Sequence, residues 1–187
     1  MEGYQSAENA ALAVNGDAVF TGVVGYKLKN TADEQIIIDG KATRWSYVFA
    51  SLSAEKEILV KVYGDGSINI SELKINSTKM PDELGQFQGI HPVSDWKIDS
   101  TMAAQRALPI FKEKYGTDAI AAIYCLVNYR NRNTGNLDFY WWITLQGRPT
   151  GAAGEATTYV PPVNVYIDPM TGALLPEQIP VPGLPVQ

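Results

Sequence analysis

Residues 137–145 read LDFYWWITL, with four aromatic side chains in nine positions, and are entered through the turn-forming run Asn133-Thr134-Gly135-Asn136. Alternation along a strand sends Phe139, Trp141 and Ile143 to one face and Tyr140 and Trp142 to the other. Residues 44–52, RWSYVFASL, carry a paler version, with Trp45, Tyr47 and Phe49 alternating with Arg44, Ser46 and Val48. The two stretches predict two strands, each turning one aromatic face to a core.

Upstream of the aromatic strand, residues 119–129 read as a strand run. Before it, STMAAQRALPIFKEKYG places Ala104, Ala107, Leu108 and Phe111 on one helical face, with Asp99 or Ser100 as the cap and Gly116 as the stop. Pro109 inside that pattern predicts a kink, or a break at which a second short helix opens. Downstream, residues 147–158 read as a glycine-rich loop and 163–168 as the last long strand. Asp168-Pro-Met-Thr-Gly172 is a turn, Ala173-Leu-Leu175 a short extension, and residues 176–187 a proline-rich tail.

The first half follows the same plan. Residues 6–14 read as a short helix capped by Ser6, with Ala10, Ala13 and Val14 on one face and Asn15-Gly16 as the stop. Strand runs follow at 19–29, where Gly22 and Gly25 mark a bulge or a weak point, at 35–38, at 42–52, and at 58–63. Gly64-Asp65-Gly66 turns the chain into a run at 67–75 in which Ile68, Ile70, Leu73 and Ile75 are apolar. Residues 76–95 hold Pro, Gly and polar residues without a period, which predicts a linker or crossover.

Ser6 with Ala10 and Ala13 corresponds to Ser100 with Ala104 and Ala107. The triplet Trp45, Tyr47, Phe49 corresponds to Phe139, Trp141, Ile143 at the same offset of 94. The expected fold class is therefore α+β in two repeats, each an N-terminal helix packed on an antiparallel sheet of about four strands. The expected limits are 4–75 for the first repeat, 76–95 for the linker, 96–175 for the second repeat and 176–187 for the tail.

The second half opens W96-K-I-D-S and closes V165-Y-I-D-P-M-T-G-A-L174 around an aromatic strand. In these motifs the chain resembles the PepSY-like group of bacterial extracytoplasmic modules, best over residues 95–175 and more loosely over 4–75, where the closing turn is the shorter G-D-G. The resemblance implies a helix on an antiparallel sheet, twice, in a secreted or lipid-anchored protein whose leader this chain does not carry. It also implies a role in peptidase regulation or envelope binding, with no catalytic set to transfer. Met1-Glu2-Gly3 begins without a basic or apolar leader segment.

Charge and composition narrow the function classes. A formal net charge of −5 and a pI of about 4.9 repel phosphate backbones, and Arg130 and Arg132 are the densest basic group, so no nucleic-acid partner is expected. No apolar run is long enough to span a membrane as a helix. One cysteine, Cys125, excludes an intrachain disulfide and a cysteine-based zinc site, and its apolar neighbours predict a buried small side chain. A nucleophilic role would need the single histidine, His91, as its base. Asp65 and Asp168 sit in turns without the further carboxylates that calcium requires, so no metal or other cofactor is expected. No phosphate-loop, dinucleotide or serine-hydrolase glycine pattern occurs. Asn69-Ile-Ser71 and Asn76-Ser-Thr78 match glycosylation acceptors, which matter only in a eukaryotic secretory pathway.

The aromatic stretches admit two readings. If Trp45, Tyr47, Phe49, Phe139, Trp141 and Ile143 lie under the alanine-faced helices, they are core. Tyr140 and Trp142 then face away and form a candidate binding surface, unless the sheets of the two repeats pack together there. The expected function is a non-catalytic extracytoplasmic interaction module that regulates or inhibits a peptidase or other envelope protein. The alternative is a small-molecule or glycan-binding protein that uses the outward aromatics. An enzyme is not expected.

Overall fold

The computed structural model describes residues 3–27, 37–74, 90–130, 135–147 and 160–176. In chain order its elements are α1 (Tyr4–Val14), β1 (Val19–Lys27), β2 (Arg44–Ser51), β3 (Lys56–Tyr63), β4 (Ile68–Lys74), a 3-10 turn (Val93–Asp95), α2 (Ser100–Tyr115), β5 (Ala121–Arg130), β6 (Leu137–Gln146), β7 (Val163–Ile167) and β8 (Leu174–Leu175). Both aromatic stretches are strands, β2 and β6. The expected strand at 35–38 is not formed at Ile37 and Ile38, and residues 35 and 36 lie outside the described residues. So do residues 76–89 of the expected linker with its Asn76 acceptor, Asn133 and Thr134 of the hairpin tip, residues 148–158 of the glycine-rich loop and residues 177–187 of the tail.

All eight strands belong to one antiparallel sheet in the order β4-β3-β2-β1-β5-β6-β7-β8. This corrects the expected fold class. The two halves do not make separate helix-on-sheet repeats, because β1 and β5 pair from Gly22↔Val127 to Lys27↔Ala122. Main-chain N–H and C=O groups at an unpaired edge need partners. Joining the inner edges of the two meanders satisfies both at once and merges their cores.

Both helices lie on one face of the sheet. Ala7 and Ala11 of α1 and Ala103, Ala104 and Ala107 of α2 are fully buried, and their small side chains bring the helices close to the sheet. The space is filled by Trp45, Tyr47 and Phe49 of β2, Tyr124 and Leu126 of β5, and Trp141, Ile143 and Leu145 of β6, all in one core cluster. Each large side chain buried here stabilises by roughly 1.5–3 kcal/mol. The core crosses the junction between halves: Trp45 lies 6.0 Å from Tyr124, and Phe20 4.9 Å from Trp96. Trp141 donates its indole N–H to the Ile98 carbonyl at 2.8 Å, which ties the segment before α2 to the sheet.

Local expectations change for the start and buried face of α1, and at Pro109 the expected break into a second helix does not occur. The first helix begins at Tyr4 after Gly3, whose φ of 83° is left-handed, so Ser6 is not its cap. The Tyr4 ring packs edge-on against Phe20 and its hydroxyl donates to Glu8, which anchors the first turn two residues early. The face that α1 buries is consequently Ala7 and Ala11, with Ala10 and Val14 at its margin and Ala13 exposed. The second helix is unbroken through Pro109. Asp99 caps it by accepting from the Met102 N–H at 2.9 Å, and left-handed Gly116 closes it. The bulge expected in β1 is present, with the register shifting between Phe20 and Gly22.

Candidate functional site

Alternation places a second, smaller cluster on the sheet face that carries neither helix. Cys125 and Val127 of β5, Tyr140 of β6 and Tyr166 of β7 are its buried members, and Val24, Tyr129, Trp142 and Leu175 pack around them. The register explains the grouping. One row across the sheet runs Val24, Cys125, Trp142, Tyr166, Leu175, each directly opposite the next. The same row continues through Ser46, Lys61 and Asn69 of the first half. Along this row the second-half end is apolar and aromatic, and the first-half end polar.

The rings are arranged against one another. Tyr140 meets Tyr166 edge-on at 5.7 Å, and Trp142 lies nearly parallel to Tyr166 at 6.2 Å. Tyr140 is only 5 % exposed, whereas Trp142 stays partly open. The Trp142 indole N–H donates to Asn164 Oδ1 at 3.1 Å, and the Thr144 hydroxyl donates to the same oxygen at 2.9 Å. That shared acceptor fixes the edge of the indole and sets an exposed amide beside it. Burial and then the nearby Asp138 carboxylate push the Tyr129 phenol up to about 12, and burial raises Tyr140 in the same direction. The phenols thus stay neutral.

Tyr140 and Trp142 therefore share a face, with Tyr140 as part of its floor and Trp142 at its open margin. The two halves meet edge to edge, so their sheets do not pack face to face there. Tyr166 and Asn164 complete the group. Neither is marked in the sequence, because only the β6–β7 register brings them beside Trp142.

Cys125 lies in this cluster and His91 does not. Burial pushes the thiol up to about 12, which opposes the thiolate a nucleophile requires. His91 lies over the helix-bearing face, stacked on Phe139 at 4.5 Å with Nδ1 3.2 Å from Asp95 Oδ2. Fully buried Asn128 accepts from the His91 main-chain N–H at 3.1 Å and donates to its carbonyl at 2.8 Å. The sequence pattern does not reveal this arrangement, which fastens residues 90–95 to β5. The sheet separates His91 from Cys125, so the two form no dyad.

The Asp65 and Asp168 carboxylates cap their own turns. Asp65 accepts from Ser67, and Asp168 accepts from the N–H groups of Met170 and Thr171. Among the described residues no cluster of three metal-ligating side chains occurs. No helix among them is long and apolar enough to cross a membrane. No family model, curated protein or solved structure matches this chain.

Proposed function

We propose that this chain is a non-catalytic binding module of the PepSY-like kind. It acts outside the cytoplasm through the helix-free face of its sheet, on a protein partner such as an envelope peptidase. The observation that carries this reading is the aromatic cluster around Trp142, on the face that both helices leave alone. Tryptophan and tyrosine set in an apolar floor beside polar neighbours are the side chains that contribute most to protein interfaces. The W96-K-I-D-S opening and the V165-Y-I-D-P-M-T-G closing motif support the family reading. The separation of His91 from Cys125 weighs against nucleophilic chemistry.

One observation favours a second reading, a glycan or small-molecule site. The partly open Trp142 ring is flanked by the Asn164 amide and the Thr144 hydroxyl, which is the pairing of apolar plate and hydrogen-bonding groups that a sugar ring uses. One experiment separates the two. The immobilised chain is exposed to envelope extract alongside Trp142→Ala and an exposed α2 control, Gln105→Ala. A protein retained by wild type and control but lost with Trp142→Ala supports the first reading. Equal retention by all three overturns it. Quenching of tryptophan fluorescence by envelope oligosaccharides, lost in Trp142→Ala, would favour the second.

A further inference from the structure

The sheet ends in two edges of different construction. On one side β8 is two residues long and Pro176 follows it at once. Short edge strands and proline both discourage another strand from pairing. On the other side β4 runs for seven residues without proline, and every one of its side chains is exposed. Ile68 and Ile70 are 42 % and 43 % exposed although they belong to the face that carries the core. Among the described residues no strand pairs with this outer edge.

The direction of its main-chain groups follows from the hairpin. The Tyr63 N–H donates to the Ser67 carbonyl at 3.0 Å, and the ladder continues through Lys61↔Asn69 and Leu59↔Ser71. In an antiparallel ladder, hydrogen-bonded and non-hydrogen-bonded pairs alternate. Asn69, Ser71 and Leu73 therefore bond to β3, and the N–H and C=O groups of Ile68, Ile70 and Glu72 point away from the sheet. Lys56 pairs with Glu72 on the flank, which leaves Ile68 and Ile70 as the apolar part of the edge on the core-bearing face, with Leu73 exposed on the other.

We propose that β4 is the contact through which two copies of this chain associate, edge to edge and antiparallel, about a two-fold axis at Asn69. What selects a second copy is self-complementarity. With Asn69 opposite its symmetry mate, Ile68 of one copy lies opposite Ile70 of the other, twice. Those are the residues whose main-chain groups point outward, so both pairs exchange hydrogen bonds. Their four side chains gather on the core-bearing face, next to Val60 and Val62. On the other face amide meets amide, and Ser71 meets Ser67. Glu72 falls opposite Gly66, so no like charges oppose each other. The interface lies on an edge, and the aromatic face of each copy stays free. The inference is thus independent of the partner read for that face.

Sedimentation from nanomolar to high-micromolar concentration is expected to show a monomer–dimer equilibrium. Ile70→Lys puts a charge among the four isoleucines and is expected to weaken association by more than about tenfold, with an unchanged circular dichroism spectrum. The register is read by cysteine substitution. In the proposed pairing the two Asn69 Cα atoms form a non-hydrogen-bonded pair about 4.5 Å apart, within disulfide reach. The two Ser71 positions lie roughly 13 Å apart, four strand residues. Asn69→Cys should therefore cross-link to a dimer under mild oxidation and Ser71→Cys should not, while buried Cys125 stays out of the reaction. A chain that stays monomeric throughout overturns the proposal. So does a dimer that survives Ile70→Lys, or one that cross-links through Ser71→Cys and not Asn69→Cys.

Discussion

Asp17 closes the turn after α1 with both of its carboxylate oxygens. One accepts from the Ser51 hydroxyl at 2.6 Å and the other from the Ser53 N–H at 2.9 Å, which joins the start of β1 to the end of β2. The Ser51 hydroxyl bond first, and the Ser53 bonds after it, hold this carboxyl down at about 2 from its ordinary 3.8. A folded-state pKa below the unfolded value favours folding above the unfolded value, and the advantage fades as the pH falls through the folded one. Asp17→Asn should therefore melt at a lower temperature than wild type at neutral pH, with the two curves converging as the pH drops from about 4 towards 2. Thermal melts across that range check it, and a gap independent of pH would refute the role assigned to the charge. At this scale the inward positions are legible in the sequence. Trp45, Tyr47, Phe49, Trp141 and Ile143 follow from period 2, which depends only on near neighbours. The bonds of His91 to Asn128 join residues 37 apart in the chain and leave no periodic trace.

Elements show where local signals stop. Asp99 and Gly116 mark α2 correctly because capping is local chemistry, whereas the start of α1 depends on where the Tyr4 ring finds Phe20 across the core. Pro109 is the sharper case. It lacks the N–H that a helix would bond to the Gln105 carbonyl, yet α2 runs on from Ser100 to Tyr115. Both Pro109 and Gln105 are exposed, so the unpaired carbonyl is free to reach water, and Ala103, Ala104, Ala107 and Phe111 hold the other side of the helix to the sheet. Pro109→Ala restores the missing bond. It should raise unfolding stability by about 1–3 kcal/mol, read from urea midpoints at unchanged slope. If position 109 instead opened a second helix, the N–H of the introduced alanine would be a free first-turn donor and the substitution would gain nothing of that size.

The whole molecule turns on the pairing of β1 with β5, which no local pattern announces. The hairpin of β3 with β4 is legible from Gly64-Asp65-Gly66, and the helix-then-strands order of each half from its periods. Whether two meanders stay apart or join depends on residues as distant as Val24 and Cys125. Two independent halves and one shared sheet predict different unfolding. With the sheet continuous, losing either half strips the junction strand of its partner and exposes Trp45, Tyr124 and Phe20 to water together. Calorimetry should then give a single transition with a van't Hoff to calorimetric enthalpy ratio near 1, where two independent halves would give about one half. Truncating the junction core sharpens the test. Tyr124→Ala deletes a ring packed against Trp45 and the hydroxyl that accepts from the Gly40 N–H, a loss of about 3–5 kcal/mol. Trp45 and Trp141 report on opposite halves, and each can be followed alone with the other three of the chain's four tryptophans changed to Phe. The Tyr124→Ala loss should appear equally in both signals. A shift confined to one of them would show that the halves unfold separately and that the β1–β5 ladder adds little to holding them together.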